Sequence, residues 1–178
     1  AEHLDAVLTR ETGGTAIGQR IRAILHDTSV TNLAHRAEAL LAAADRAQHI
    51  EEVVAPALAA GRHVVSDRSV YSTLAYQGYG RGLPLDDVRH INEWAVAGHW
   101  PDLVVLLDVP LEVMMQRLKK RELDRFELED DGFHRRVRDG FSAMAAADPD
   151  RWVVIDGQQS KDAVQTAIRN AVAERLDL

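Results

Sequence analysis

Two charged pairs far apart in the chain, Arg10-Glu11 and Asp67-Arg68, are the residues best suited to chemistry on an anion. Each follows a short β-prone run and stands where that run breaks into a loop. A guanidinium clasps a phosphate through two parallel hydrogen bonds, so Arg68 suits a phosphate. Asp67 beside it orients that arginine, coordinates Mg²⁺ through water, or accepts a hydroxyl hydrogen bond. The competing reading is a structural ion pair at a strand end. Arg10-Glu11 runs into Thr12-Gly13-Gly14-Thr15. Two glycines let a backbone approach a ligand closely, and the helix that follows offers unpaired amides and a positive dipole end to a phosphate. A tight strand-to-helix connection that uses glycine only for its φ range explains the same residues.

Two further groups are candidates. Ala42, Arg46 and His49 share one helix face at i, i+4, i+7, so Arg46 either projects into a cleft or makes a solvated helix ion pair. Residues 117–138 hold eight basic and six acidic side chains, against a net charge of −7 for the whole chain. That mixture suits a mobile flap that brings arginines to a polyanion, and equally an exposed, salt-bridged helix. The eight histidines form no HExxH or paired zinc pattern and read mostly as surface residues, and no GxSxG elbow occurs. With no cysteine there is no thiolate nucleophile or disulfide framework. The acidic balance argues against a general nucleic-acid or anionic-membrane binder. No apolar run approaches the ~20 residues that span a bilayer, and no signal-peptide core opens the sequence, so the expectation is a cytoplasmic protein.

Positioning these groups requires strands that end where the charges stand. Short apolar, β-prone runs occupy residues 5–9, 63–66, 103–109 and 152–156, the third reading as a strand buried on both faces. Helical periodicity fits residues from 15 to near 27–29 (capped by Thr15), about 32–60 (bent at Pro56), 84–95, from 111 into the charged segment 117–138, 131–147 and 162–176. Residues 71–83 are polar, aromatic and glycine-rich and take no element from the pattern. Strands separated by helices predict a doubly wound, parallel α/β sheet in a single domain covering residues 1–178, whose ligands bind at the carboxyl ends of the strands. Arg10-Glu11, Asp67-Arg68 and Asp108 all stand at such ends.

Taken in order, RETGGT, RAEALLAAADRAQHIEEVVAPAL, DRSVYSTLAYQGYGRGL, PDLVVLLDVP and RELDRFELEDDGFHRRVRDG resemble the successive motifs of the bacterial thymidylate kinases, from about residue 5 to the C-terminus. The resemblance implies a P-loop NTP hydrolase-like fold and transfer of the γ-phosphoryl group of ATP to dTMP with Mg²⁺. It implies that Arg68 holds the acceptor phosphate with Arg10, Glu11, Gly13 and Gly14 close by. Asp67 then places the reacting groups and the metal, and Arg46 contacts the pyrimidine edge. Thr73, Tyr76 and Gln77 surround base and sugar. Arg121 and Arg125, in a lid-like segment at about 119–132, close over the ATP phosphates. A cytoplasmic homodimer is implied too.

The chain departs from that family at several positions. Thr12 stands where proline is usual, Ser69 where tyrosine or histidine follows the Asp-Arg pair, and Tyr71 where an acid is frequent. Ala42 replaces a phenylalanine that commonly stacks on thymine, a loss worth roughly 1 kcal/mol or more of base affinity. GxxxxGK[ST] occurs nowhere in the 178 residues. The expectation is that one strand-loop-helix unit of about 25 to 30 residues is missing. Without it the sheet falls into two halves with unpaired inner edges, and this polypeptide does not bind ATP normally. Two alternatives stand beside the kinase: a related nucleotide kinase of altered acceptor preference, and a non-catalytic nucleotide-binding domain without a P-loop.

Overall fold

Runs of valine, leucine and isoleucine that end in a charged residue form all four strands: β1 (Ala6–Arg10), β2 (His63–Asp67), β3 (Val104–Asp108) and β4 (Trp152–Asp156). The computed structural model describes residues 5–118 and 122–176. Between the strands lie α1 (Ala16–His26), α2 (His35–His49), α3 (Ala55–Ala59), α4 (Val70–Thr73), α5 (Leu85–Val96), α6 (Leu111–Leu118), α7 (Asp131–Ala147) and, after β4, α8 (Lys161–Arg175). Thr15 caps α1 as its sequence position predicts, its hydroxyl accepting from the Gly18 amide at 2.9 Å.

Among the described residues the strands pair in parallel as two separate two-stranded sheets, β1–β2 and β3–β4. Two half-sheets are the expected arrangement. Apolar side chains on the faces of these strands stay open among the described residues: Leu8 is 80% exposed, Val65 55% and Leu107 46%. The expectation that 103–109 is buried on both faces is therefore corrected, since an apolar run needs cover on both sides of its sheet to be buried twice.

The bend expected at Pro56 takes the form of a π-helical turn, Ile50–Val54, between α2 and α3. Pro56 follows it in α3, and the widened turn suits a residue that has no N–H to give to the helical ladder. Residues 71–83 also differ from the sequence reading. α4 continues into a π-helix, Leu74–Gly80. Val70, Tyr71, Leu74 and Ala75 recur at helical spacing and are all buried, while the glycines at 78 and 80 lower helix propensity by about 1 kcal/mol each and mask the pattern. The core sits here: Val70, Tyr71, Leu74, Val88 and Val96 pack with Trp152, whose ring meets that of Tyr71 edge-on at 4.7 Å. A second cluster, Ala75 with Phe133 and Val137, joins the π-helix to α7. This helical run is thereby a rigid wall facing the ends of β1 and β2.

Candidate functional site

The register of β1 on β2 runs from Ala6 opposite His63 to Arg10 opposite Asp67, so both strands end at one edge. The Glu11 amide extends the ladder by donating to the Asp67 carbonyl at 3.0 Å. The two charged pairs of the sequence are thus neighbours. A cavity of about 560 Å³ opens beside them. Arg10 lines it from the end of β1 with Glu11 and Thr12 just beyond, Asp67 from the end of β2 with Arg68 just beyond, and Ala42 and Arg46 from α2. Thr73, Tyr76 and Gln77 form the wall supplied by the helical run. Asp124 and Phe126 close one side.

Arg68 adopts a left-handed backbone, φ 71°, uncommon for a side chain larger than glycine and of the kind found where a loop is held for function. Its guanidinium lies over the Tyr76 ring, 5.2 Å from the centroid. Arg10 and Arg68 make no ion pair among the described residues. Asp67 and Asp124 act on Arg68 only beyond ion-pair distance, so the two cations at the cavity mouth are equipped to take an anion.

Deeper in the cavity the charges are matched. Arg46, 2% exposed, donates from Nε to Glu11 Oε2 at 2.9 Å, and its Nη2 lies 2.8 Å from the same oxygen. Its Nη1 donates to Asn92 Oδ1, and Asn92 Nδ2 is anchored on the Val88 carbonyl at 2.7 Å. His49, 1% exposed, donates from Nδ1 to Glu11 Oε1 at 3.1 Å, and the Thr9 hydroxyl meets its Nε2 at 2.7 Å. Burial alone pushes the Glu11 carboxyl up, but the Arg46 charge and the His49 contact outweigh it and hold Glu11 below the usual carboxylate range. Glu11 therefore aims Arg46 into the cavity.

The two loop glycines serve this packing and do not line the cavity. Gly13, at φ 95°, donates its amide to Asp45 Oδ1 at 2.9 Å. A Cβ on Gly14 would stand 2.6 Å from the Arg10 carbonyl oxygen and 2.7 Å from His49 Cδ2, so only glycine lets the loop lie this close to α2. Arg121 lies outside the described residues. Arg125 is turned away from the cavity lining: its Nε donates to the Leu25 carbonyl at 2.9 Å and its Nη2 to Glu38 Oε2 at 2.6 Å.

Sequence reasoning missed Glu38, Asn92, His26 and Asp124, and gave His49 no role of its own. His49 carried the one usable signal, its place on the helix face of Ala42 and Arg46. His26 at the end of α1 contacts Asp124 Oδ2 through Nδ1 at 2.8 Å. Asp124 Oδ1 also accepts from the amides of Phe126, at 2.9 Å, and Glu127, at 3.0 Å. Burial opposes ionisation of Asp124, yet the His26 contact and the two amides bring its pKa down to about 2. The folded value lies below the unfolded ~3.9, so Asp124 stabilises the protein above about pH 4, and that contribution is lost as pH falls toward 2. Asp124→Asn should therefore be less stable near neutrality and lose less on acidification. Urea midpoints of both proteins from pH 5 to pH 2 should converge, and parallel curves would refute this role.

The thymidylate kinase family model matches residues 1–168 of the chain. The chain is 46% identical over 180 residues to a thymidylate kinase of Desulfovibrio desulfuricans, covering 97% of this chain and 83% of that protein. It is 49% identical over 175 residues to a thymidylate kinase of Neisseria gonorrhoeae, covering 98% and 82%. With a thymidylate kinase of a Synechococcus strain it shares 51% identity over 171 residues, covering 96% and 81%.

Proposed function

The chain belongs to the thymidylate kinase family, and on that premise we propose that the cavity at the ends of β1 and β2 is its dTMP site. The enzyme transfers the γ-phosphoryl group of ATP to dTMP, giving dTDP. An acceptor phosphate oxygen bonds to the γ-phosphorus as its bond to the β–γ bridging oxygen breaks, and ADP departs. Positioning and charge neutralisation are the work left to the protein in such a transfer. The observation that carries the assignment is the pairing of Arg10 with Asp67, which sets Arg10 and Arg68 together at the cavity mouth.

In this reading Arg68 and Arg10 hold the acceptor phosphate. Arg46, held by Glu11 and Asn92, meets the pyrimidine edge, and Thr73, Tyr76 and Gln77 enclose base and sugar. Asp67 is exposed at the cavity and makes no ion pair among the described residues, which hold no group of three or more potential metal-ligating side chains. A lone carboxylate fits Mg²⁺, which keeps most of its waters and takes further ligands from substrate phosphates. Asp67 would hold it, and bound Mg²⁺ supplies neutralisation of the charge on the transferred phosphoryl group. Arg121 and Arg125 belong to the lid; in the conformation described, Arg125 anchors residues 122–130 on Glu38. A cytoplasmic homodimer and a single nucleotide-kinase domain complete the proposal. Trp94, 86% exposed, and Leu40, 56% exposed, border one apolar groove between α2 and α5 and support a partner surface there.

One observation favours a broader acceptor choice. Ala42 lines the cavity and presents only a methyl group to it, with no aromatic face. Calorimetric titration with dTMP, dUMP, dCMP and dGMP, beside a coupled turnover assay, decides between the readings, and absence of a preference for dTMP would end the leading one. Ala42→Phe should tighten dTMP by on the order of tenfold through base stacking. Weaker binding would mean that the base lies elsewhere.

A further inference from the structure

Glu38, in the first turn of α2, is completely buried and carries three partners. Gln77 Nε2 donates to its Oε1 at 2.8 Å, Arg81 donates from Nε at 3.1 Å and from Nη2 at 3.2 Å, and Arg125 Nη2 donates to Oε2 at 2.6 Å. Burial pushes its carboxyl up, but the hydrogen bonds from Arg81, Gln77 and Arg125 overcome that and hold it below the usual carboxylate range. Glu38 is therefore ionised near neutrality and acts only as an acceptor.

An acceptor-only partner settles which way a glutamine amide points. The oxygen and nitrogen of an amide have nearly the same shape, and the hydrogen-bond network alone assigns them. Only the NH₂ of Gln77 suits Glu38. Gln77 is 3% exposed and lines the cavity. With its NH₂ turned to Glu38 the amide cannot exchange its ends, and its side-chain carbonyl oxygen, which accepts no hydrogen bond among the described residues, is placed to accept one from a ligand. That oxygen takes a hydrogen bond from a base with a protonated ring nitrogen, as uracil and thymine have at N3. Cytosine offers a bare acceptor there, which leaves two acceptors opposed in a buried site.

We propose that Glu38 is a positioning residue for acceptor selection, fixing the Gln77 amide so that the cavity takes nucleoside monophosphates whose pyrimidine carries a ring N–H. This rests on the dTMP reading of the cavity. The test is calorimetric titration of the full chain with dUMP and with dCMP, which share sugar and phosphate and differ only in the base. The wild-type chain should favour dUMP by at least about tenfold. In Glu38→Gln the new amide lets Gln77 turn over, and the ratio should fall by about tenfold. A purely structural role for Glu38 weakens both ligands together, so an unchanged ratio overturns the proposal. Should Glu38→Gln fail to fold by circular dichroism, Gln77→Met removes the oriented oxygen and should collapse the ratio, and a retained preference overturns the proposal. A wild-type ratio near one overturns it while the dTMP reading stands. Failure of the wild-type chain to bind dTMP, dUMP or dCMP overturns both.

Discussion

Arg68→Ala should weaken dTMP binding by two orders of magnitude or more and abolish detectable turnover, with the fold intact. The arginine makes no ion pair among the described residues, so its removal strands no buried carboxylate. Its loss should be felt by the ligand. Hydrogen bonds to a charged group contribute about 1.5 to 3 kcal/mol each, so losing a two-point clasp on phosphate costs about 3 kcal/mol or more, a factor of about 100. Thymidine, which has no phosphate, should bind the variant and the wild type alike. Near-normal turnover, or equal weakening of thymidine and dTMP, would refute the phosphate role.

Glu11→Gln is expected to be the most destabilising conservative change in the cavity. Its carboxylate is the shared partner of Arg46 and His49, which are 2% and 1% exposed. Neutralising it leaves a guanidinium charge buried without a counter-charge, a defect that costs about 3 to 5 kcal/mol. For a chain of this size that lowers the melting temperature by roughly 10 °C. The wild-type contribution follows the depressed pKa of Glu11: it is present above the unfolded carboxylate range and fades as pH falls through the folded value. The variant should therefore lie closest to wild type in acid. A melting-temperature change of under two degrees at neutral pH would show that Arg46 finds another partner and does not depend on Glu11 for its aim.

These two residues mark how far sequence reading places a side chain and where it stops. Arg68 was legible because strand runs of valine and leucine end in charge, and parallel strands place such ends on one edge. β2 ends at Asp67, with Arg68 beyond it. Glu11 was legible only as a residue near a phosphate. Its bonds to Arg46 and His49 join residues 35 and 38 positions apart, and no local pattern reports them. Glu38 was hidden more completely, because an acid in the first turn of a helix already has a local explanation in the helix dipole. Its burial arises from Gln77, Arg81 and Arg125, which come from two other parts of the chain. The helical run 70–80 escaped for a related reason: its glycines argue locally against a helix, while tertiary packing of Val70, Tyr71, Leu74 and Ala75 decides for one.

The central claim is that one cavity holds dTMP, with its phosphate at the ends of β1 and β2 and its base against the helical run. A crystal structure of the chain soaked with dTMP tests this most directly. Phosphate oxygens should lie within hydrogen-bond distance of the Arg68 guanidinium, and the thymine ring between Arg46 and Gln77. A nucleotide seated elsewhere, or one in this cavity with its phosphate away from Arg68, would contradict it.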